Sequence, residues 1–350
     1  MDIKEKTMLR GALVGLGRMG LTHLSILRNH PKVNFVAICD SSSFVLRNVG
    51  KYIGIEAFKD YRKMIDEVDL DFVIVATPVR LHIEVVKYAV QNNLHVFVEK
   101  PFCLDAAQGS EIVNMVNGKN LVNQVGYVLR FNDVFRDVKK LLQAKVIGDP
   151  LFFKMEMSGP TVLKNSESTW RSKRSEGGGC LRDFASHSID LVNYLLGAPE
   201  QVVGTVLKKI YSKNVEDAVY STFLYRNGLL GHVRVNWSDP SHRKPTYRVE
   251  ILGRNGKMIA DPHTCKLFLK NAPVDGEFTS GWNMRYITDL TKPVRFYVRG
   301  NEFTQQLDYF IDCIFNGSYG NMCSFADGLA TDSIIEKLIK NSAERCGQYG

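Results

Sequence analysis

The stretch ALVGLGRMGLTHLSIL, residues 12–27, leads from a short apolar run through a glycine-rich turn into a helical pattern. Gly15, Gly17 and Gly20 have the spacing G-x-G-x-x-G. The first glycine permits the tight turn, the second lets the backbone approach a pyrophosphate, and the third lets the helix pack close to the strand. The N-terminus of that helix offers unpaired N–H groups to phosphate oxygens. The stretch predicts a dinucleotide site, which also includes the turn residues Leu16, Arg18 and Met19.

A carboxylate follows the second predicted strand, at the position where such a site needs one. The run VAICD ends on Asp40, twenty residues after Gly20. A carboxylate at this place binds ribose hydroxyls and repels a 2′-phosphate, which favours NAD over NADP. NADP stays possible because the serines after Asp40 do not forbid it, and the alternative role for Asp40 is to cap the next helix.

Composition and charge exclude several other classes of protein. The chain has 350 residues and a formal net charge of +8, but its Lys and Arg residues form no block of five or more, so we expect no nucleic-acid partner. Seven scattered cysteines without a C-x-x-C pair fit neither a zinc ribbon nor a disulfide framework. No apolar run reaches the ~20 residues of a membrane span, and the N-terminus lacks a signal peptide. These features predict a cytoplasmic protein without a membrane partner.

The order of the predicted elements divides the chain into two domains. Residues 1–125 alternate apolar strands with amphipathic helices, which predicts an α/β Rossmann domain with a doubly wound parallel sheet. Residues 126–350 contain a series of β-rich runs with two Asn-Gly hairpin joins, which predicts an α+β domain with a large, mostly antiparallel open sheet. Two helical patterns close the chain and can pack back on the first domain.

Two further motifs follow predicted strands of the first domain. The run LHVFVEKPF carries Glu99 and Lys100 at a strand end, where doubly wound sheets bind ligands. A lysine there can bond a substrate oxygen and help to move a proton. If Glu-Lys-Pro, residues 99–101, stood alone, a surface lysine in a loop would be the simpler interpretation. Upstream, VIVATPVRLHIE has Thr77 and Pro78 at a strand end and His82 at the start of a helix.

Together these motifs resemble the Gfo/Idh/MocA family of glucose-fructose oxidoreductase and inositol dehydrogenase, over nearly the whole chain. The resemblance implies a Rossmann domain that binds a nicotinamide dinucleotide and a second domain that carries a sugar, inositol or sugar-nucleotide substrate. It also implies a homodimer or homotetramer formed through the exposed sheet face. Val79, where the family often has Asn, is a departure that bears on the nicotinamide side. By this resemblance, the cofactor contacts include Thr77, Pro78, His82, Glu99 and Lys100.

The resemblance implies a catalytic set of Lys100, Asp183 and His187, the last two from EGGGCLRDFASHSIDLVNYLLG, residues 176–197. On a helix, positions 183, 187, 190 and 194 share one face, and an Asp/His stripe is costly to bury unless it lines a polar cavity. We expect His187 to act as general base, Asp183 to orient the ring or the substrate, and Lys100 to stabilise alkoxide charge. Ala185, where the family often has Gly, replaces one small residue by another.

Two alternatives remain open for this stretch: a metal site, for which no further ligands present themselves, and a structural helix with a capping aspartate and a core histidine. Gly177, Gly178 and Gly179 are expected to let the backbone pass close to substrate and nicotinamide.

Several residues near this stretch are candidates for the substrate side. Arg171, Lys173 and Arg174 can grip a carboxylate or a diphosphate, or simply form a solvated basic loop over 164–175. Tyr127 and Arg130 are expected to line the sugar site.

The predicted function is hydride transfer between NAD(P) and a secondary hydroxyl or ketone of a sugar, inositol or sugar nucleotide. The alternatives are a sugar-transforming enzyme that recycles its cofactor, and a non-catalytic dinucleotide-binding sensor. The intact set of Lys100, Asp183 and His187 counts against the sensor, because a sensor has no need of proton transfer.

Overall fold

A computed structural model of the protein describes residues 7–164, 169–273 and 276–348. It divides the chain into two compact units. The first comprises Met1–Val128 and Pro293–Leu329, and the second comprises Leu129–Lys292 and Ala330–Gly350. The first unit thus extends three residues beyond the expected boundary at 125 and takes back a segment near the end of the chain, which includes one of the two closing helices.

The first unit is built on a six-stranded parallel sheet in the order β3-β2-β1-β4-β5-β6. Strands β4 and β5 are buried along their whole length, as expected for a sheet covered on both faces. The order reverses between β1 and β4, and ligands bind at the carboxyl ends of the strands at such a switch point. The predicted Rossmann domain is therefore confirmed. Its strands are β1 (Leu9–Val14), β2 (Val33–Cys39), β3 (Glu56–Phe58), β4 (Phe72–Val75), β5 (His95–Val98) and β6 (Asn123–Val125). Its first helices are α1 (Arg18–Arg28), α2 (Ser43–Ile53), α3 (Tyr61–Glu67), α4 (His82–Gln91) and α5 (Ala106–Val116).

The second unit is built on an eight-stranded sheet in which β7 and β10 pair in parallel and the other neighbouring strands pair antiparallel. The strand order is β14-β13-β12-β11-β7-β10-β9-β8. Alternating burial along β10 and β13 shows that one face packs on the core and the other is exposed. The predicted antiparallel sheet is confirmed, with β14 as an additional strand. The strands are β7 (Pro150–Ser158), β8 (Gln201–Lys208), β9 (Ala218–Leu224), β10 (Leu230–Asn236), β11 (Thr246–Gly253), β12 (Gly256–Ala260), β13 (Thr264–Leu269) and β14 (Gly281–Tyr286).

The helices of the second unit are α6 (Asp133–Gln143), α7 (Thr161–Lys164), α8 (Ser186–Leu196) and α9 (Ile287–Leu290). The chain then forms α10 (Asn301–Asn316) in the first unit and α11 (Phe325–Gln348), most of which belongs to the second. The apolar residues Leu307, Phe310 and Ile311 of α10 lie in the core cluster of the first unit. Positions 183, 187, 190 and 194, which we expected on one regular helix, are divided between a π-helical segment, Leu181–Ala185, and α8.

His95 makes the stability of the first unit sensitive to acid. Its side chain is buried, and its Nδ1 accepts a hydrogen bond of 2.8 Å from the Val122 N–H. Burial lowers the pKa of His95 from 6.5 to about 4, against a smaller opposing effect of Asp71. The neutral ring stabilises the folded state fully above pH 6.5, and this stabilisation is lost as the pH falls from 6.5 through about 4.

We expect acidification across this window to reduce the free energy of unfolding by about 3 kcal/mol through His95. The His95→Asn variant, whose Oδ1 can accept the same bond, is expected to be less stable at neutral pH but flatter in its acid dependence. Urea unfolding at pH 7 and pH 4.5 checks this. Equal losses in the wild type and the variant would show that other groups govern acid sensitivity.

Candidate active site

The glycine-rich turn between β1 and α1 has a separate steric reason for each glycine. Gly15 has a φ of +99°, and a Cβ there would lie 2.5 Å from the Ala76 carbonyl oxygen. A Cβ on Gly20 would lie 1.9 Å from the Gly15 carbonyl oxygen. Gly17 is different, because a Cβ there would meet no atom within 4 Å, and α1 begins after it without a side-chain cap. Two glycines thus serve packing, and Gly17 leaves space for a ligand at the helix N-terminus.

Asp40 stabilises this turn from the end of β2. Its Oδ2 accepts the Leu16 N–H at 2.8 Å, and its Oδ1 accepts the Ser42 N–H at 2.8 Å. The alternative role of Asp40 as the cap of α2 is wrong, since the N-cap is Ser42, whose Oγ accepts the Val45 N–H. Each carboxylate oxygen keeps further acceptor capacity, which suits the ribose hydroxyls of a dinucleotide.

A buried polar group lies just after the end of β4. The Thr77 hydroxyl is buried and has no hydrogen-bond partner among the described residues. A buried hydroxyl without a partner is costly, and a ligand that bonds it removes the cost. Pro78 beside it is exposed, whereas Val79, at the departure from the family pattern, is buried. The described residues therefore fit a bound dinucleotide at the turn, at Asp40 and at Thr77.

His82 holds two strand-end loops together. Its Nε2 lies 3.0 Å from the Thr77 carbonyl oxygen and its Nδ1 lies 3.0 Å from that of Pro101. Burial lowers the pKa of His82, although both carbonyls favour the protonated ring. The side chain is only 1% exposed. In place of the expected cofactor contact, the structure therefore supports a positioning role for His82 toward the segments of Thr77 and Lys100.

Glu99 and Lys100 stand at the end of β5, followed by a cis peptide bond to Pro101. The Glu99 carboxylate is buried, with Oε1 2.7 Å from Nε2 of His23 and Oε2 accepting the Lys100 backbone N–H at 3.2 Å. Burial raises the pKa of Glu99, but the hydrogen bond to His23 and the nearby positive charges outweigh it and lower the pKa overall. Both carboxylate oxygens of Glu99 thus bond within the protein. Lys100 itself is half-buried at the strand end.

In the second unit, Asp183 lies in the π-helical segment and pairs with Arg171. The Arg171 Nε donates to Asp183 Oδ2 at 2.8 Å, and its guanidinium also stacks 4.5 Å from the Trp170 ring centre. Asp183 is 6% exposed, so this ion pair compensates a buried carboxylate. Single π turns inside helices are frequent at functional sites. The structure therefore brings two of the predicted substrate residues into direct contact.

His187 lies in the first turn of α8 and is half-buried, with its ring edge-on to Tyr247 at 6.3 Å between centres. The rest of the predicted stripe has a structural role. Asp190 is fully buried and accepts from both Nε and Nη2 of Arg130 at 2.7 to 3.1 Å. Arg130 also lies 5.4 Å from the ring centre of Tyr194. Arg130 is thus held within the core, which corrects its expected place in the sugar site.

Two of the three glycines before the π segment, Gly178 and Gly179, pack against the protein itself. A Cβ on Gly178 would lie 2.4 Å from the Arg171 carbonyl oxygen, and one on Gly179 would lie 2.2 Å from Oε1 of Glu216. Gly177 has a φ of +85° and Gly179 a φ of +105°, so both also use backbone freedom. In these contacts the neighbours are protein atoms, in place of the substrate and nicotinamide that we expected.

Glu216 is a residue that no sequence signal indicated. It is buried, its Oε1 accepts the Leu181 N–H at 2.9 Å, and its Oε2 lies 3.5 Å from Nη2 of Arg174. It therefore fixes the start of the π segment that carries Asp183. Arg174 and Arg171 both face carboxylates of the protein, while Lys173 is exposed. Positions 165–168 of the basic stretch lie outside the described residues.

A cavity of about 130 Å³ adjoins the ion pair of Asp183 and Arg171. Two cationic residues, Arg171 and Lys213, and two aromatic residues, Tyr211 and Trp237, are among the residues that line it. Such a lining suits a polar ligand with sugar hydroxyls or an anionic group. Tyr127, by contrast, is fully buried, so the contact with substrate that we expected from its side chain is not available.

The part of the chain that the structure describes contains neither a membrane-spanning helix nor a cluster of metal ligands. Across residues 7–164, 169–273 and 276–348, no helix combines the length and apolar character that a membrane crossing requires. Within the same ranges, no three His, Cys, Asp or Glu side chains group in a way that could hold a metal ion.

Comparison with known proteins assigns the chain to a family. The model of an oxidoreductase family with an NAD-binding Rossmann fold, GFO/IDH/MocA, matches residues 9–127, and the GFO/IDH/MocA C-terminal domain matches residues 135–259. The chain belongs to the GFO/IDH/MocA family. It is an NAD-binding oxidoreductase, and the predicted cofactor is confirmed.

Named relatives and solved structures agree with this assignment. The scyllo-inositol 2-dehydrogenase (NAD(+)) of Bacillus subtilis is 26% identical over 316 residues, which cover 88% of this chain and 87% of the relative. The 2,7-anhydro-N-acetylneuraminate hydratase of Mediterraneibacter gnavus is 29% identical over 277 residues, 76% of this chain and 70% of the relative. Levoglucosan dehydrogenase in complex with NADH and levoglucosan has a TM-score of 0.85 at 23% identity, covering 96% and 97% of the two chains. This structural likeness shows the fold.

Proposed function

We propose that the protein transfers a hydride between NAD and a secondary hydroxyl carbon, or the matching ketone, of a sugar, inositol or sugar nucleotide. The observation that carries the proposal is the pair of adjacent helical turns that present an ion-paired aspartate, Asp183, and a half-buried histidine, His187. The names of the inositol dehydrogenase and levoglucosan dehydrogenase relatives support the substrate class.

The chain's own residues supply proton transfer and charge stabilisation. Bound NAD+ provides the hydride acceptor. His187 removes the proton of the substrate hydroxyl as the C–H bond breaks, because imidazole has a pKa near operating pH. The Lys100 ammonium stabilises the developing alkoxide. Asp183, held by Arg171, accepts hydrogen bonds from neighbouring hydroxyls and so orients the sugar. In the reductive direction His187 returns the proton.

A spectrophotometric screen of NAD+ reduction against inositols, free sugars and nucleotide sugars tests this proposal. We expect at least one polyol or sugar class to drive NADH formation, and the matching ketone to reverse it. Cofactor binding without turnover of any of these substrates would contradict the dehydrogenase proposal. A failure to bind NAD+ would contradict the cofactor assignment as well.

One relative supports a second candidate function. The hydratase of Mediterraneibacter gnavus is named for a reaction without net redox change. A member of this family that oxidises a sugar transiently and then returns the hydride would recycle its NAD in place. In that case product would form from a sugar without accumulation of NADH. Chromatography of the sugar, together with measurement of NADH absorbance, would reveal this.

We propose that NAD is preferred over NADP through Asp40. The Asp40→Asn variant is expected to lower NAD+ affinity by about tenfold and to narrow the discrimination against NADP+, because a charged acceptor and its repulsion of the 2′-phosphate are lost. Titration calorimetry with both cofactors measures this.

The matched control for Asp40 is Ser42→Ala. It removes the cap of α2 at a cost of about 1 kcal/mol in stability and is expected to keep the wild-type ratio of NAD+ to NADP+ affinity. An unchanged ratio in Asp40→Asn would show that Asp40 serves only to fix the turn.

We propose a homodimer or homotetramer formed through the exposed face of the eight-stranded sheet. Large apolar side chains lie exposed on its strands, among them Leu230, Leu252, Phe268 and Trp282. Exposed apolar surface of this kind commonly marks an interface. Sedimentation of the wild type and of Trp282→Glu tests the proposal, and a monomeric wild type would contradict it.

We also propose a reducing, cytoplasmic setting for the protein. Among the described residues, the side chains of Cys39, Cys103, Cys180, Cys265, Cys313 and Cys323 are buried thiols. Disulfide-dependent secreted chains would pair such residues. Cell fractionation tests the location, and recovery of the native protein outside the cytoplasm would contradict it.

A further inference from the structure

Arg299 stands in an unusual backbone position just before α10. It has a φ of +66°, and the next residue, Gly300, has a φ of +145°. A non-glycine residue in the left-handed region is uncommon, and it persists where the surrounding structure determines it. Arg295 provides one such anchor, because its Nη1 donates to the Ile26 carbonyl oxygen at 3.2 Å. The Thr304 hydroxyl provides another by donating to the Phe296 carbonyl oxygen.

Helix α10 lies beside α1 and runs in the same direction. Near the C-terminal end of α1, His30 lies 3.5 Å from Asp308, and Lys32 lies 2.9 Å from Asp312. The start of α10 therefore reaches back toward the start of α1. This placement brings Arg299 toward the glycine-rich turn of the dinucleotide site.

Two positive charges, those of Arg18 and Arg299, interact near this turn. Neither Arg18 nor Arg299 forms an ion pair with any other described residue, and the Arg299 guanidinium lies 5.3 Å from the ring centre of Phe303. Burial and the positive charge of Arg18 lower the pKa of Arg299, and Glu99 partly offsets them. Like charges that are close together are unfavourable unless an anion lies between them.

We infer that Arg299 binds the pyrophosphate of NAD together with Arg18, and so adds a phosphate contact from the far end of the chain. A pyrophosphate diester carries two negative charges, which match two guanidinium groups, and arginine bonds phosphate oxygens through a planar fork. Beside Arg18, a Cβ on Gly17 would meet no described atom within 4 Å and α1 starts without a side-chain cap, so an anion has room there. The inference rests on the NAD-binding assignment and adds a residue that the glycine-rich motif does not contain.

The test is the Arg299→Gly variant, which removes the cation and suits the positive φ, so that the fold is kept. Calorimetry with NAD+ and ADP-ribose is expected to show affinities lower by about tenfold, with a weaker dependence on salt. AMP, which lacks the pyrophosphate, is expected to change by less than about twofold because it lacks the contact. Arg299→Lys is expected to recover part of the loss, since it keeps the charge without the fork.

Lys292→Ala, the loss of another exposed cation nearby in sequence, is the matched control and is expected to bind all three ligands as the wild type does. Equal NAD+ affinity in Arg299→Gly and the wild type would overturn the inference. Equal losses for AMP and ADP-ribose would overturn it too, because they would indicate a general disturbance of the site. A wild type that binds NAD+ but turns over no sugar would leave this test intact and contradict only the proposed reaction.

Discussion

Replacing His187 by alanine is expected to lower kcat for the oxidised sugar by about 10²- to 10⁴-fold, the usual contribution of a general base. NAD+ affinity is expected to stay unchanged, because the proposed role of His187 is to take the proton of the substrate hydroxyl and not to bind the dinucleotide. Steady-state kinetics and calorimetry on the same preparation separate the two effects. The pH profile of kcat/KM is expected to lose its acidic limb in the variant, since the titrating base is gone.

His263→Ala is the matched control, because His263 is an exposed histidine of the same unit. Its kcat is expected to equal that of the wild type.

Lys100→Met is expected to lower kcat about as much as His187→Ala does, because it removes the charge that stabilises the alkoxide. Variants of His187 and Lys100 that both keep wild-type turnover would refute the assignment of roles. A wild type that binds NAD+ tightly yet catalyses no reaction would favour the sensor.

The second large effect concerns the glycine-rich turn. Gly20→Ala is expected to destabilise the first unit by about 3 kcal/mol or more, because the new Cβ would overlap a backbone oxygen that cannot move aside easily. That Cβ would lie 1.9 Å from the Gly15 carbonyl oxygen. Gly17→Ala is expected to leave stability nearly unchanged, since no protein atom lies within 4 Å of the new Cβ and the φ of −69° suits alanine.

The two variants are therefore expected to separate packing from binding. Gly17→Ala is expected to weaken NAD+ affinity by about tenfold or more, because the methyl group occupies the space where the pyrophosphate approaches the backbone. Urea unfolding and calorimetry on both proteins measure the difference. If Gly17→Ala binds NAD+ as the wild type does, the phosphates do not approach the turn at Gly17. If Gly20→Ala is as stable as the wild type, the close packing of α1 on the turn is not required.

Sequence patterns predicted the fold and the cofactor turn because their causes are local. The positive φ of Gly15 and the close approach of Gly20 to the Gly15 carbonyl oxygen arise within six residues, and the burial of β4 and β5 follows from their own apolar runs. The place of Asp40 follows from the strand that precedes it. For the same reason, a local helical pattern misled at the π segment, where the periodicity of 3.6 residues does not continue.

The family resemblance also identified Lys100, Asp183 and His187 as a catalytic set, but it could not show which residues position them. The partners of these segments come from distant parts of the chain. His23 bonds Glu99 beside the lysine, and Glu216 fixes the start of the Asp183 segment.

Tertiary structure alone also decided which members of a pattern serve a site and which serve the core. Arg130 is a predicted residue of the sugar site, yet it bonds Asp190 inside the core. Arg299 carried no motif, and only the packing of α10 along α1 brings it toward Arg18. The sequence by itself determined the strand–turn–helix geometry that binds a dinucleotide, because short-range sterics decide it. The electrostatic partners depend on how distant segments pack, and a charge shows its role only when its neighbours in space are known.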